Sequence, residues 1–328
     1  MKKIILLFLI VTLTLSVGCG NKTSQNAGEN KERLKVYVSN YPLYDFTNNI
    51  AKDSVDVINI RQNSGVHGWE PSAKDIANLK EGDLFIYGGE DADGWAEELI
   101  DNNIIKGKIV DVSSGIDLLE IDHDHEDNLD HDHEEDHKDN HDHDHGEDHD
   151  HDHGEHDPHI WLSLRNAQII TSNISKGLSE IDSNNKTLYE NNLKDYINKL
   201  ESLDIEYTHK LSSTLNDSII VSHEAYGYLS RDYNFKQVGI EGILAEGEPS
   251  VSQIENIIKV SKDLNVKTIF YEDTISPKVA KLIAEEVGAK LELLSPLETL
   301  SAEQESNGED YISIMKSNLE GIYKALNE

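Results

Sequence analysis

The chain has 328 residues, enough for two domains of ordinary size, and its 63 acidic against 29 basic side chains give a formal net charge of −34. That surplus excludes nucleic acid as a partner, because holding phosphates requires clustered Lys and Arg. Cys19 is the one cysteine, which leaves neither an internal disulfide nor a thiolate metal cluster.

Residues 1–18 read as an export leader: Met1-Lys2-Lys3 is basic, an apolar run follows from Ile4 to Leu15, and Ser16-Val17-Gly18 supplies small residues. The run falls short of the roughly 20 residues that span a bilayer as a helix. Cys19 directly after Gly18 resembles a bacterial lipobox, with Ser16 where that motif usually has Leu. Cys19 is therefore the expected lipidation site, placing the mature chain on the extracytoplasmic face of the cell membrane. Residues 19–32 are polar and aperiodic, as a flexible tether would be.

From Leu34 onward, short apolar runs at 34–38, 55–60, 84–87 and 108–111 alternate with helically spaced segments such as 44–51 and 96–101. Strands alternating with helices predict a parallel sheet. Pro71 suits a first helical turn, and Ser72-Ala73-Lys74-Asp75 resembles a capping box. The segment before it, Ser64 to Glu70, is a strand-to-helix loop, and it carries His67.

Twelve of the sixteen histidines lie between His123 and His156, and the span 122–157 also holds eighteen Asp or Glu. Imidazole and carboxylate at nearly every second position read as metal binding by composition. With almost no apolar residues this stretch can bury no core, so several weak, exchanging sites are expected of it. His159 follows at once, in Asp157-Pro158-His159-Ile160-Trp161-Leu162, where Pro158 and the apolar residues argue for a fixed backbone.

Residues 165–181 and 184–213 read as two helices, the second long enough to join two lobes. The strand and helix alternation then resumes, with strands expected at 218–222, 235–239, 268–271 and 290–294 and helices at 250–264, 277–287 and 311–326. His223 stands at the carboxyl end of the first of these strands, where open α/β sheets place their ligands. His209 has charged helical neighbours and reads as a surface residue.

The order of Cys19, Tyr41-Pro42-Leu43-Tyr44, His67-Gly68-Trp69-Glu70-Pro71, the His/Asp tract, Asp157 to Leu162, Val221-Ser222-His223-Glu224-Ala225-Tyr226, Phe270-Tyr271-Glu272 and Leu294-Ser295-Pro296-Leu297-Glu298 resembles the zinc-uptake solute-binding proteins of ABC importers. The resemblance implies an α/β fold of two βα lobes with parallel-type sheets, joined by one long helix, with a single metal in the cleft. It places an N-terminal lobe at 33–183, including the loop 122–157, a connecting helix at 184–213 and a C-terminal lobe at 214–328. Each lobe is expected to have its own core. By motif, His67, His159, His223 and Glu298 are the implied ligands, with Glu70, Glu224 and Glu272 as other acidic candidates.

Three imidazoles and a carboxylate suit tetrahedral Zn2+. Manganese-binding relatives typically carry a carboxylate where His223 stands. The implied function is capture of zinc outside the cytoplasm by a monomer and its delivery to a membrane permease. Other readings are a manganese-binding relative and a surface metal buffer or adhesin in which the tract does the work. A zinc hydrolase would keep a coordination position for water beside a general base. The one His-Glu-x-x-His match, His133-Glu134-Glu135-Asp136-His137, falls within the His/Asp tract, which has almost no apolar residues to hold it on a packed helix, and no enzyme is expected.

Overall fold

Asn40 ends the first apolar run and starts the first helix, its side chain accepting a hydrogen bond from the Leu43 N–H at 3.1 Å. The structure, a computed structural model, describes residues 33–61, 65, 68–121, 155–245, 249–272 and 276–328. The leader, Cys19, the tether, His67 and tract residues 122–154 lie outside the described residues.

In chain order the first lobe comprises β1 (Lys35–Val38), α1 (Tyr41–Ala51), β2 (Asp56–Asn59), α2 (Ala73–Lys80), β3 (Leu84–Tyr87), α3 (Glu90–Asp101) and β4 (Lys108–Asp111). Helices α4 (Leu164–Ile181) and α5 (Lys186–Leu211) follow. The second lobe comprises β5 (Ser218–His223), α6 (Gly227–Tyr233), β6 (Lys236–Glu241), α7 (Val251–Asp263), β7 (Thr268–Tyr271), α8 (Lys278–Val287), β8 (Lys290–Leu293), α9 (Ala302–Asn307) and α10 (Tyr311–Leu326).

The strands form two parallel sheets, ordered β2-β1-β3-β4 and β6-β5-β7-β8. Every residue of β3 is buried, as expected of a parallel strand covered on both faces. In each sheet the chain first steps to one side of its opening strand and then crosses to the other. The resulting switch points lie between β1 and β3 and between β5 and β7.

Local signals set several helix starts. Ser72 accepts from the Asp75 N–H at 3.3 Å while the Asp75 carboxylate accepts from the Ser72 N–H at 3.0 Å. That reciprocal box makes Ser72 the cap, so Pro71 precedes the helix instead of opening it. Helix α1 starts at Tyr41, ahead of the expected Tyr44, because Asn40 supplies its cap. Helix α3 starts at Glu90 and is interrupted at Asp93, where φ is −140° and ψ is 43°. Periodicity revealed neither of the short helices α6 and α9.

Helix α5, at about 1.5 Å per residue, is roughly 39 Å long and joins the lobes. Tyr189, Tyr196, Leu200, Leu203, Tyr207 and Leu211 form its buried stripe. That stripe corrects the expectation of separate cores: the inner faces of both lobes share one apolar core, from Val36 and Phe46 through Leu200 to Val221 and Ile322. Only the outer faces are separate, around Tyr37, Phe85 and Leu99 in one lobe and Ile220, Ile269 and Ile283 in the other. Among the described residues, no helix is long and apolar enough to cross a membrane.

Candidate metal centre

His223 is the last residue of β5, and Glu272 is the first past β7, so the two flank the switch point of the second sheet. The Glu272 Oε1 atom lies 2.7 Å from His223 Nδ1. A carboxylate there accepts the Nδ1–H and leaves Nε2 with its lone pair directed away from the strand.

His159 is held the same way from another part of the chain. The tract's two ends are tied by an antiparallel bridge between Glu120 and His156 and by the Asp157 N–H donating to Leu119 O at 2.8 Å. Asp157 then turns back on His159, its Oδ1 accepting from the His159 backbone N–H at 2.9 Å and lying 2.8 Å from Nδ1. The Tyr228 hydroxyl donates to the Asp157 carbonyl at 2.8 Å and fixes the turn.

Glu298 reaches the same place by a strained turn. Leu297 before it is fully buried and has φ of 61°, a left-handed conformation uncommon for a bulky side chain. Asn318 over-determines that turn, accepting from the Ser295 N–H at 3.0 Å and donating to the Ser295 carbonyl at 2.8 Å. The Trp161 indole donates to Pro296 O at 2.8 Å, and the Tyr311 hydroxyl donates to Trp161 O at 2.6 Å. The segments carrying His159 and Glu298 are thereby tied to one another.

The three side chains converge. His159 Nε2 and His223 Nε2 are 3.3 Å apart, and each is 3.6 Å from Glu298 Oε1. All three residues are buried, with exposures of 0%, 2% and 7%. Zinc bonded to nitrogen at about 2.0–2.1 Å in a tetrahedron has ligand atoms about 3.3–3.4 Å apart, so these donors already stand near the edges of such a figure. Two nitrogen donors disfavour Mg and Ca, which take oxygen. Among the described residues this is the one group of three or more such side chains that could hold a metal ion.

Charge balance in the cluster favours a cation. Burial alone would push the His159 imidazole down, but the Asp157 and Glu298 carboxylates outweigh it and raise its pKa to about 9.

The remaining candidates separate. His67 lies outside the described residues, but Gly65, two positions before it, is against the cluster: a Cβ added at Gly65 would stand 2.7 Å from Glu298 Oε2. Glu70 is exposed, and His209 is exposed on α5. The Glu224 carboxylate accepts from the Gly239 N–H at 3.2 Å. Sequence reasoning gave Asp157 no role and treated Glu272 only as a possible ligand. The i, i+2 spacing of Asp157 and His159 was a usable signal, whereas nothing local connects Glu272 or Asn318 to the cluster.

Two parallel-sheet α/β lobes joined by a long helix, with a buried histidine and glutamate cluster at one sheet's switch point, define a metal-binding solute-binding protein. The chain belongs to the zinc-uptake complex component A, periplasmic family, whose profile matches residues 36–325. It is 39% identical over 326 residues to the high-affinity zinc uptake system protein ZnuA of Bacillus subtilis, covering 98% of this chain and 97% of that one. To the zinc-binding lipoprotein AdcA of Streptococcus pneumoniae it is 32% identical over 331 residues, covering 98% of this chain but 60% of that longer one. The crystal structure of Zn(II)-bound AdcA from S. pneumoniae superposes with a TM-score of 0.74 at 30% identity, covering 90% of this chain and 58% of that one.

Proposed function

We propose that this chain captures a zinc ion outside the cytoplasm and presents it to the membrane permease of an ABC importer. The observation that carries the reading is the convergence of His159 Nε2, His223 Nε2 and Glu298 Oε1, two nitrogens and one oxygen spaced for a single ion. His67 is the fourth ligand in this reading, supported by Gly65 standing against Glu298. Four protein donors make a site that holds an ion without leaving a position for water, which suits a carrier better than a hydrolase. Imidazole at 223 favours zinc over manganese.

Residues 1–18 act as the leader and 19–32 as the tether from a lipidated Cys19, which suits a site that must work beside a permease. Residues 33–183 and 214–328 form the two lobes on either side of a connecting segment, 184–213. The His/Asp tract within 122–157 gathers zinc weakly, and the buried centre holds one ion tightly.

Elemental analysis with native mass spectrometry tests this on wild type and on His67→Ala, His159→Ala, His223→Ala and Glu298→Ala. One tightly held zinc in wild type, lost in each variant with the fold intact by circular dichroism, is the expected result. A variant that retains wild-type affinity removes its residue from the centre. Retention of tight zinc in all four would place the function elsewhere, in the tract.

A further inference from the structure

Helix α6 opens at Gly227, just after His223 closes β5. The link between them is fixed. The Ala225 N–H donates to the His223 carbonyl at 2.9 Å, the Tyr226 N–H to Gln237 Oε1 at 2.8 Å, and the Tyr226 hydroxyl to Leu294 O at 2.9 Å. The helix then meets the neck of the His/Asp tract. The Tyr228 hydroxyl accepts from the Leu119 N–H at 3.2 Å while donating to the Asp157 carbonyl, so one oxygen joins the two sides of the neck. Arg231 donates to Asp117 O at 2.9 Å, with its guanidinium carbon 5.1 Å from the centre of the Tyr228 ring.

Gly227 faces Asp157 directly: a Cβ added there would stand 2.5 Å from Asp157 Oδ2 and 3.4 Å from Leu119 Cδ1. A carboxylate at the end of a free side chain would swing aside at little cost. This one is buried, and its other oxygen holds His159 at both the backbone N–H and Nδ1. Oδ2 can retreat only if Oδ1 leaves the imidazole. The missing side chain at 227 therefore lets α6 close on the carboxylate that aims His159, and the same helix is anchored to His223.

We infer that Gly227 is a positioning residue for the metal centre and, through it, a determinant of which ion fits. With Tyr228 it seats Asp157 against α6 and so sets the spacing between His159 Nε2 and His223 Nε2. The inference rests on the proposed reading of those two histidines as ligands. Their separation of 3.3 Å suits the short bonds of tetrahedral zinc. Turning one imidazole away costs zinc more than manganese, which prefers oxygen donors. Helix propensity gives no reason for glycine at this position, since alanine is the better helix former.

The test is a double-mutant cycle on the full chain, with Gly227→Ala and Tyr228→Phe each made alone and with Asp157→Ala. Zinc and manganese affinities are read by chelator competition, and visible absorption of the Co2+-loaded protein reports coordination number. Gly227→Ala is expected to weaken zinc binding about tenfold or more, as loss of a group that orients a ligand does. Manganese should lose less, so the zinc-to-manganese ratio falls, and the intense bands of four-coordinate Co2+ should fade. With Asp157→Ala present there is no carboxylate to displace, and Gly227→Ala should cost less than about twofold. Tyr228→Phe keeps the ring beneath Arg231 and should weaken zinc in the same way. Wild-type affinity and ratio in Gly227→Ala, or in Tyr228→Phe should the former not fold, would overturn the inference. Equal losses with and without Asp157 would do the same and leave Gly227 a packing role. Wild-type zinc affinity in His159→Ala or His223→Ala would instead remove the reading of the centre on which the inference rests. That outcome is visible in variants that leave α6 untouched.

Discussion

His159 Nε2 and His223 Nε2 stand 3.3 Å apart, although one residue follows the His/Asp tract and the other ends a strand 64 positions later. With Asp157 and Glu272 each accepting a hydrogen bond from an Nδ1–H, both Nε2 lone pairs point at the same small volume. Two lone pairs at that distance repel unless a proton or a metal ion lies between them. The site is thus built to hold one cation.

Proton and zinc therefore compete, and the pH dependence has a definite sign. With the His159 pKa raised to about 9, the metal-free centre carries a proton at neutral pH that zinc must displace. Apparent zinc affinity should rise about tenfold per pH unit from about pH 6 to 8 and level off near 9. Calorimetry in buffers of different ionisation enthalpy should register about one proton released per zinc at pH 7. For the apo fold the sign is opposite. A histidine whose folded pKa is raised from 6.5 to about 9 contributes stability that is complete below 6.5 and is lost as pH rises through 9. Affinity independent of pH over this range would contradict the arrangement.

Asp157 and Glu272 touch no metal in this reading, yet both should matter. Asp157→Asn and Glu272→Gln each present an amide to Nδ1, which can select the wrong tautomer and turn Nε2 into a donor. Competition titration should show zinc binding weaker by about 10- to 100-fold in each. The melting temperature of the apo protein should change much less than it does when a core residue is truncated.

Asn318→Ala removes both partners of Ser295, leaving a buried N–H and a buried C=O without their hydrogen bonds. At about 1–3 kcal/mol for each of the two orphaned groups, the apo protein should lose about 2–6 kcal/mol in urea unfolding. The left-handed turn at Leu297 loses its support at the same time, so zinc affinity should fall although residue 318 is remote from the ion. A destabilised protein with unaltered zinc affinity would show that the turn holds itself.

Deleting residues 122–154 should leave one tight zinc and remove several weak ones. The bridge between Glu120 and His156 and the hydrogen bond from Asp157 N to Leu119 O already close the neck of the tract. A short Gly-Ser connection across that neck should therefore leave His159 in place. Calorimetry on both proteins decides the matter: if the shortened chain binds no zinc, the tract carries the function.

Local chemistry made much of this protein readable from its sequence. The alternation of apolar runs with 3.6-residue periodicity located both sheets, because burial on two faces and burial on one stripe leave different repeats. Ser72 and Asp75 marked the start of α2 because a capping box closes within four residues. His223 could be placed at the carboxyl end of β5 because a strand end is a local feature.

Tertiary structure alone decided which carboxylate does what. Glu298 joins the two imidazoles, Glu272 orients one of them, and Glu224 is bound to the backbone of β6. All three are acids near apolar segments and differ only in where distant strands bring them. The left-handed Leu297, the support from Asn318, the Trp161 to Pro296 hydrogen bond and the common core along α5 likewise depend on contacts between residues far apart in the chain. Periodicity and capping report only on neighbours within a turn or two, so contacts that join separate elements leave no trace in them.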